Sequence, residues 1–233
     1  MLSVCRHTFE YVSTVAVGGP PNTANGATPV WEPFIWTYEG QLGVFYSDQR
    51  DPKYGQKLAH QTTVDLLNWG EVVSDVAEAS YTLRPGMTTI TEMGNGKFIL
   101  FYELGFDPEV SYAVHYRIAD NPFEFQQAEE MLLKASDGTI AAAGPQTVWT
   151  PAGGPNGTIV TSDSTYSQLF INRAYGDPSA WLKVASGLGV GYTRNLNIMP
   201  GTGNETILVT NGGIYDGAYT QVTAGEWTVP AQA

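Results

Sequence analysis

Aromatic residues recur along the chain at a nearly constant spacing, and this spacing constrains the fold more than any other feature. Trp69, Phe125 and Trp181 are 56 residues apart, Phe9 precedes them by 60 residues, and Trp227 follows by 46. A short run typical of a β-strand begins at each aromatic residue. A regular repeat of this kind indicates one supersecondary unit per period, which buries its apolar face against the next unit.

Each period contains four short β-rich segments separated by turns. In the first full unit these are PFIWTYE, GQLGVFYS, QKLAHQTT and WGEVVSDVA. Four strands per unit, repeated about four times, predict an all-β fold of the β-propeller type, with residues 1–233 as a single partial propeller domain. A leading strand at residues 8–16 is predicted as the outer strand of a preceding blade. The alternative fold is a β-sandwich, which the regular period disfavours.

The charge balance narrows the classes of partner. Eleven basic and 23 acidic residues give a formal net charge of −12, which argues against nucleic acid or an anionic membrane as partner. The balance fits a soluble protein, predicted to be monomeric, that acts on a neutral ligand. The single cysteine, Cys5, excludes an intrachain disulfide and a cysteine-based zinc site, and no metal or cofactor site is predicted. The N-terminus lacks the apolar core of a signal peptide.

One loop carries a motif with a structural meaning. Thr63, Asp65 and Trp69 follow the pattern S/T-x-D-x-x-x-W, which resembles the Asp-box turn of sialidase-like propellers. An aspartate in such a turn holds a hairpin by accepting hydrogen bonds from backbone amides. We therefore predict a structural role for Asp65.

Ligands of a propeller bind where the innermost strands begin, so the residues at those positions are the first candidates for a site. Aligning the repeats places Glu32, Arg84, Gly144 and Arg194 in one column. Burying a carboxylate is costly unless it has a partner. Glu32 is therefore either a functional residue or the partner of Arg84 or Arg194.

The ends of the second strands form another column, which contains Asp48 and Glu103. Glu103 follows the continuous apolar run Phe98-Ile99-Leu100-Phe101-Tyr102. Desolvation in such surroundings raises the pKa of a carboxyl group, and glycosidases use this effect to separate acid and base roles. The alternative is a solvated glutamate at the end of a strand.

Long motifs of the chain resemble one enzyme family. PPNTANGATPVWEPF, LRPGMTTITEMGNGKFILFYEL and GYTRNLNIMPG are similar to segments of the fungal exo-1,5-α-L-arabinanases, family 93 of the glycoside hydrolases. The resemblance runs from about Phe9 to the C-terminus. It implies a sialidase-like propeller, of which about four of an expected six blades are present. It also implies the release of arabinobiose from linear arabinan with retention of configuration, without a metal.

The resemblance assigns catalytic residues one by one. Glu32 matches the family's E-P-F segment, Glu103 the end of its Y-E strand, and Tyr192 its Y-[ST]-R segment. Retention implies a double displacement by carboxyl groups roughly 5–5.5 Å apart. We predict that Glu103 attacks, because a strand end holds it rigidly, and that Glu32 on the rim is the acid/base. Tyr192 would donate a hydrogen bond to the nucleophile.

Further residues are predicted to hold the sugar beside the carboxylates. These are Arg84, Arg194, His60, Asp48 and Trp31. Trp36 and Trp149 are additional candidates for stacking against a sugar face, and one of the three tryptophans is expected to contact substrate.

Two expectations accompany the resemblance, and two alternative functions stay open. The family is secreted, so an extracellular location is expected although the chain shows no signal peptide. The chain is expected to be a shortened product whose activity depends on the blades that remain. Two other functions stay open: a sialidase, which needs a third arginine beside Arg84 and Arg194, and a propeller that binds sugar without cutting it.

Overall fold

Antiparallel sheets of strands in sequential order make up the structure, a computed structural model that describes residues 10–214 and 221–232. The first sheet consists of β1 (Val30–Tyr38), β2 (Gln41–Asp48), β3 (Lys57–Thr63) and β4 (Val73–Val76). The second consists of β5 (Arg84–Glu92), β6 (Phe98–Gly105), β7 (Ala113–Ala119) and β8 (Met131–Leu132).

The other two sheets follow in the same order. The third consists of β9 (Gln146–Thr150), β10 (Thr158–Ser162), β11 (Leu169–Asn172) and β12 (Trp181–Val184). The fourth has three strands, β13 (Arg194–Ile198), β14 (Thr206–Asn211) and β15 (Thr223–Thr228). Short 3₁₀ helices at Phe125–Gln127 and Pro178–Ala180 precede β8 and β12.

The four sheets are the blades of a propeller. The innermost strands β1, β5, β9 and β13 contact one another in series, and each blade runs outward from them. Two facing sheets, as in a β-sandwich, do not occur in the part of the chain that the structure describes. The predicted all-β propeller with four blades is confirmed, and the sandwich alternative is wrong.

Apolar residues pack between successive blades rather than at one centre. Phe45 and Leu100 belong to a core between the first and second blades, and Phe101 and Phe170 to one between the second and third. A third core joins the last two blades. Since each blade buries its faces against its neighbours, the fold is stabilised mainly by contacts between repeats.

Three of the repeated aromatic residues are part of these cores. Phe125 and Trp181 are fully buried, and Trp227 is nearly so. Trp181 also donates from Nε1 to the Tyr116 hydroxyl at 3.1 Å. Trp69 instead lies partly exposed and donates to Ser13 Oγ at 2.9 Å. The 56-residue spacing of Phe125 and Trp181 therefore reflects equivalent packing positions in successive blades.

Two predicted strands differ from the structure. Residues 10–16 form no strand, and residues 8 and 9 lie outside the described part of the chain. The four-strand repeat also predicts a third strand for the last blade, AYTQVT at residues 218–223. In the structure, the strand that contains Trp227 takes that place and pairs directly with β14. Of that segment, residues 218–220 lie outside the described residues and residues 221 and 222 are not in a strand.

The Asp-box prediction is confirmed. Asp65 Oδ1 accepts hydrogen bonds from the backbone amides of Leu67 and Asn68, both at 2.8 Å. Thr63 Oγ1 accepts from the amides of Asp65 and Leu66. The amides around it, that of Asn68 first, hold the pKa of Asp65 well below its ordinary range. The carboxylate is a structural clamp on the β3–β4 connection.

Candidate active site

A cleft of about 270 Å³ opens where the innermost strands of the first two blades begin. Its lining residues are Thr23, Trp31, Glu32, Gln56, Arg84, Glu103, Tyr112 and Tyr192. Five of the residues predicted from sequence therefore come together here: Trp31, Glu32, Arg84, Glu103 and Tyr192. Larger depressions of about 520 and 580 Å³ lie elsewhere, but their described linings contain no pair of carboxylates.

A bulge in β1 directs Glu32 into the cleft. The pairing with β2 shifts between Trp31 and Phe34, and Glu32 itself has a left-handed φ of 56°. A bulge of this kind re-aims a side chain near a functional site. The Glu32 carboxylate accepts hydrogen bonds from Ser47 Oγ at 2.8 Å and from the Met87 amide at 2.9 Å. Both hydrogen bonds fix the position of this carboxylate.

The second blade carries the same bulge. The β5–β6 pairing shifts between Gly86 and Thr89, and Met87 has the same φ of 56° as Glu32. The register equates Glu32 with Met87 rather than with Arg84, so the predicted column is shifted. Gly86 gives the carboxylate room, because a Cβ there would lie 3.3 Å from Glu32 Oε2.

Glu103 occupies a drier environment. It lies near the end of β6, and one of its oxygens accepts a hydrogen bond from the Gly144 amide at 2.8 Å. Burial raises the pKa of Glu103 to about 7, against the effect of the Gly144 amide and with a smaller contribution from the negative charge of Glu32. The cleft thus combines a carboxylate held by two hydrogen bonds with one whose pKa is raised by burial.

The Arg84 guanidinium lines the cleft and is held there by neutral hydrogen-bond acceptors. Its guanidinium donates to the amide oxygens of Asn25, Gln49 and Gln56 at 2.8, 2.9 and 2.8 Å. Trp31 Nε1 donates to the same oxygen of Gln49, so the indole and the guanidinium are fixed together. Burial lowers the pKa of Arg84, and the fields of Tyr112 and Glu32 oppose that effect.

Two tyrosines lie on the rim. Tyr192 is 54% exposed; its backbone amide donates to the Gly213 carbonyl, and its carbonyl accepts from Ser164 Oγ. Tyr112 is 45% exposed and has a φ of 65°. Tyr112, Gln56 and Thr23 also line the cleft and were not predicted from the sequence. Nothing in the local pattern distinguishes Tyr112 from an ordinary strand tyrosine, because its place depends on the left-handed turn before β7.

Arg194 does not reach the cleft, and its predicted contact with substrate is wrong. The side chain is fully buried, and its guanidinium donates to four backbone carbonyls. These belong to Asp163, Tyr166, Ser167 and Gln168. Among the described residues, Arg84 is the one arginine that lines the cleft, so the arginine set that a sialidase needs is not assembled there.

His60 and Asp48 are also buried away from the cleft, which corrects two further predictions. His60 is 2% exposed, and its Nδ1 lies 2.9 Å from the carboxylate of Asp75. Asp48 is 3% exposed and forms an ion pair with Arg50 at 2.8 Å. Both side chains are buried against acidic or basic partners, and neither lines the cleft.

The other tryptophans are core residues. Trp36 stacks against Phe34 and meets Phe98 edge-on, between the first two blades. Trp149 packs against the core between the second and third blades. Trp31 is the member of the predicted set that lines the cleft.

Within the described residues, no group of three or more His, Cys, Asp or Glu side chains could hold a metal ion. The same part of the chain contains no helix of the length and apolarity needed to cross a membrane.

The fold and the cleft together have the organisation of a propeller-type glycoside hydrolase, in which two carboxylates in unlike environments face one opening. Three solved structures agree with this class. The chain is similar to the α-L-arabinofuranosidase from Fusarium graminearum in complex with an iminosugar inhibitor (40% identity, TM-score 0.92). It is also similar to the Penicillium chrysogenum α-L-arabinanase complexed with arabinobiose (40%, 0.91) and to the family 93 α-L-arabinofuranosidase of Fusarium graminearum with arabinobiose (41%, 0.91).

Each match covers 95% of this chain and 64% of the solved one, so the chain spans slightly less than two thirds of those proteins. Over the part that it spans, the chain is similar to these arabinofuranosidases and arabinanases, one of which is a family 93 glycoside hydrolase, in agreement with the resemblance of its motifs. No family model and no curated protein matches the sequence. An α-L-arabinofuranosidase from Lactobacillus brevis, at 11% identity and a TM-score of 0.57, shares the fold alone.

Proposed function

We propose that the cleft hydrolyses linear α-1,5-L-arabinan from a chain end and releases arabinobiose with retention of configuration. The observation that carries the proposal is the pairing of Glu32 and Glu103 in one cleft, where Glu32 accepts two hydrogen bonds and burial raises the pKa of Glu103. Two of the similar structures hold arabinobiose, which supports an arabino-oligosaccharide as substrate. An extracellular site of action is part of the proposal, since a polymer of this size does not enter cells. That the protein is a monomer remains a prediction.

The environments of the carboxylates favour roles opposite to those predicted from the sequence. Glu32 receives two hydrogen bonds that stabilise negative charge, and the charge of Arg84 acts on it as well. It therefore suits the nucleophile that attacks the anomeric carbon. Glu103, with its pKa of about 7, suits the acid that protonates the leaving glycosidic oxygen.

The second half of the reaction follows from the same electrostatics. When Glu32 becomes an ester of the sugar, it loses its negative charge. One of the causes that raise the pKa of Glu103 then disappears, and Glu103 more readily stays ionised. In that state Glu103 accepts a proton from water, which attacks the ester and releases the sugar with its original configuration.

The remaining cleft residues bind and orient. The Arg84 guanidinium, which three side-chain amides hold in place, is proposed to donate hydrogen bonds to the sugar hydroxyls. The Trp31 indole, bonded to the same amide of Gln49, is proposed to stack against a sugar face. Tyr192 is proposed to donate a hydrogen bond near the nucleophile, as the family resemblance implies. Tyr112 joins the set because it lines the same cleft.

The test is the release of arabinobiose from linear arabinan by the purified chain, with a sialoside assayed in parallel. We expect arabinobiose from the wild type and none from Glu32→Gln, while both proteins bind arabino-oligosaccharides in calorimetry. Binding without hydrolysis by the wild type would identify a non-catalytic sugar-binding propeller. Cleavage of the sialoside would contradict the proposed substrate.

A further inference from the structure

The amide that contacts Glu103 belongs to a strained turn of the chain. Ala143 and Gly144 both have left-handed φ angles, 66° and 49°, and this conformation is costly for alanine. A Cβ on Gly144 would lie 2.5 Å from both Ser164 Oγ and the Tyr192 carbonyl, so the turn is packed tightly on the third and fourth blades. Some group must hold the turn in place for its amide to point at Glu103.

Asp163 anchors this turn by a hydrogen bond from its backbone. It is fully buried just after β10, and its Oδ2 accepts the Ala142 amide at 2.9 Å. Its Oδ1 accepts the Tyr166 amide at 3.0 Å, so one carboxylate ties two loops together. The neighbouring Ser164 amide donates to the Ala143 carbonyl at 2.9 Å.

Arg194 completes the support. Its Nη2 lies 3.6 Å from Asp163 Oδ1, and both side chains are fully buried. Burial raises the pKa of Asp163 to about 6, while the amides and the charge of Arg194 act in the opposite direction. Ser164 Oγ donates to the Tyr192 carbonyl, so the same support reaches the rim tyrosine. Contacts thus run without a gap from β13 to the carboxylate of Glu103.

We infer that Asp163 is a positioning residue, which directs the Gly144 amide at Glu103 and thereby sets the protonation of the proposed acid. This inference rests on the proposed function and extends it. It explains why a buried ion pair lies directly behind the cleft. Four other titratable groups line the cleft with Glu103: Glu32, Arg84, Tyr112 and Tyr192.

Asp163→Asn is the decisive variant. An asparagine can accept one of the two amides, but its NH₂ group faces the other, and Arg194 loses its counter-charge. The turn then releases the Gly144 amide. Because that hydrogen bond favours the carboxylate, its loss raises the pKa of Glu103, by about one pH unit. A carboxyl-¹³C NMR titration of Glu103 measures this directly and needs no activity.

A second readout uses turnover. Hydrolysis of arabino-oligosaccharide should fall between about tenfold and a hundredfold in kcat, with its basic limb moved to higher pH. A loss of stability alone would lower kcat at every pH and leave the basic limb of the pH profile at the same pH. Asp177→Asn is the matched control, since Asp177 also accepts an amide of the third blade, that of Ser179, but lies outside the cleft.

The outcomes separate cleanly. If Asp163→Asn does not fold, Ser164→Ala decides the question, because it removes the contact with Tyr192 and loosens the packing on Gly144; it should move the Glu103 titration upward by less. An unchanged Glu103 titration in either folded variant overturns the inference. If the wild type does not cleave arabinan yet Asp163→Asn shifts the titration, the positioning role holds and the proposed function fails.

Discussion

Replacing Glu103 by glutamine should stabilise the protein at alkaline pH while removing its activity. The pKa of Glu103 is raised from its ordinary value of 4.5 to about 7, chiefly by burial. The folded protein therefore binds the proton more tightly than the unfolded chain does. The stability from this proton is fully present below pH 4.5 and is lost as the pH rises through 7. The difference in pKa corresponds to about 3 kcal/mol of folding free energy.

Glutamine is neutral at every pH and can still accept the Gly144 amide. Relative to wild type, the unfolding free energy of Glu103→Gln should therefore rise between pH 4 and pH 8 by up to about 3 kcal/mol. Urea unfolding followed by tryptophan fluorescence at both pH values measures this. Glu92→Gln, at an exposed strand end, is the control and should show little pH-dependent difference. A Glu103→Gln effect equal at the two pH values would refute the desolvation argument.

Four further predictions concern the cleft and the core. Above about pH 7 the kcat/KM of wild type on arabinan should fall about tenfold per pH unit as Glu103 loses its proton, and a flat profile to pH 9 would contradict this role. With a dinitrophenyl arabinobioside and azide, Glu32→Ala should yield the inverted glycosyl azide and Glu103→Ala the retained one by NMR; the reverse would exchange the roles. Arg84→Lys should raise KM about tenfold in steady-state assays, since lysine cannot serve three fixed amide acceptors, and an unchanged KM would remove Arg84 from binding. Trp181→Ala should lower the unfolding free energy by about 3–5 kcal/mol in urea titrations, because it empties a fully buried site between blades.

The repeat could be found from the sequence because packing between blades imposes the same residue types at the same intervals. Phe125 and Trp181 fill equivalent spaces, so their spacing reports the blade directly. The Asp-box could be predicted as well, since Asp65 bonds amides only two and three residues away. Whether residues 10–16 form a strand could not be predicted, because an apolar alternating run carries no information about whether a partner strand lies beside it.

The site was only partly predictable, for reasons of register and burial. Glu32 and Glu103 were found by type and position, but the bulge in β1 moves Glu32 out of the column that contains Arg84. Arg194 occupied a mouth position in the alignment, yet backbone carbonyls bind all of its guanidinium edge. The proposed assignment of nucleophile and acid rests on the hydrogen-bond donors of Ser47, Met87 and Gly144, of which two are backbone amides that a sequence does not display.

The bulge that β1 and β5 share relates the two carboxylates of the cleft to each other by register. Register equates Glu32 of the first blade with Met87 of the second, and Ser47 with Glu103. Each blade therefore contributes the same two positions, but the acidic residue stands at the bulge in one copy and at the strand end in the other. Ser47 and Met87, the counterparts, both hydrogen-bond Glu32. In the part of the chain that the structure describes, the two carboxylates of the cleft therefore come together where the first two blades differ at these two matched positions.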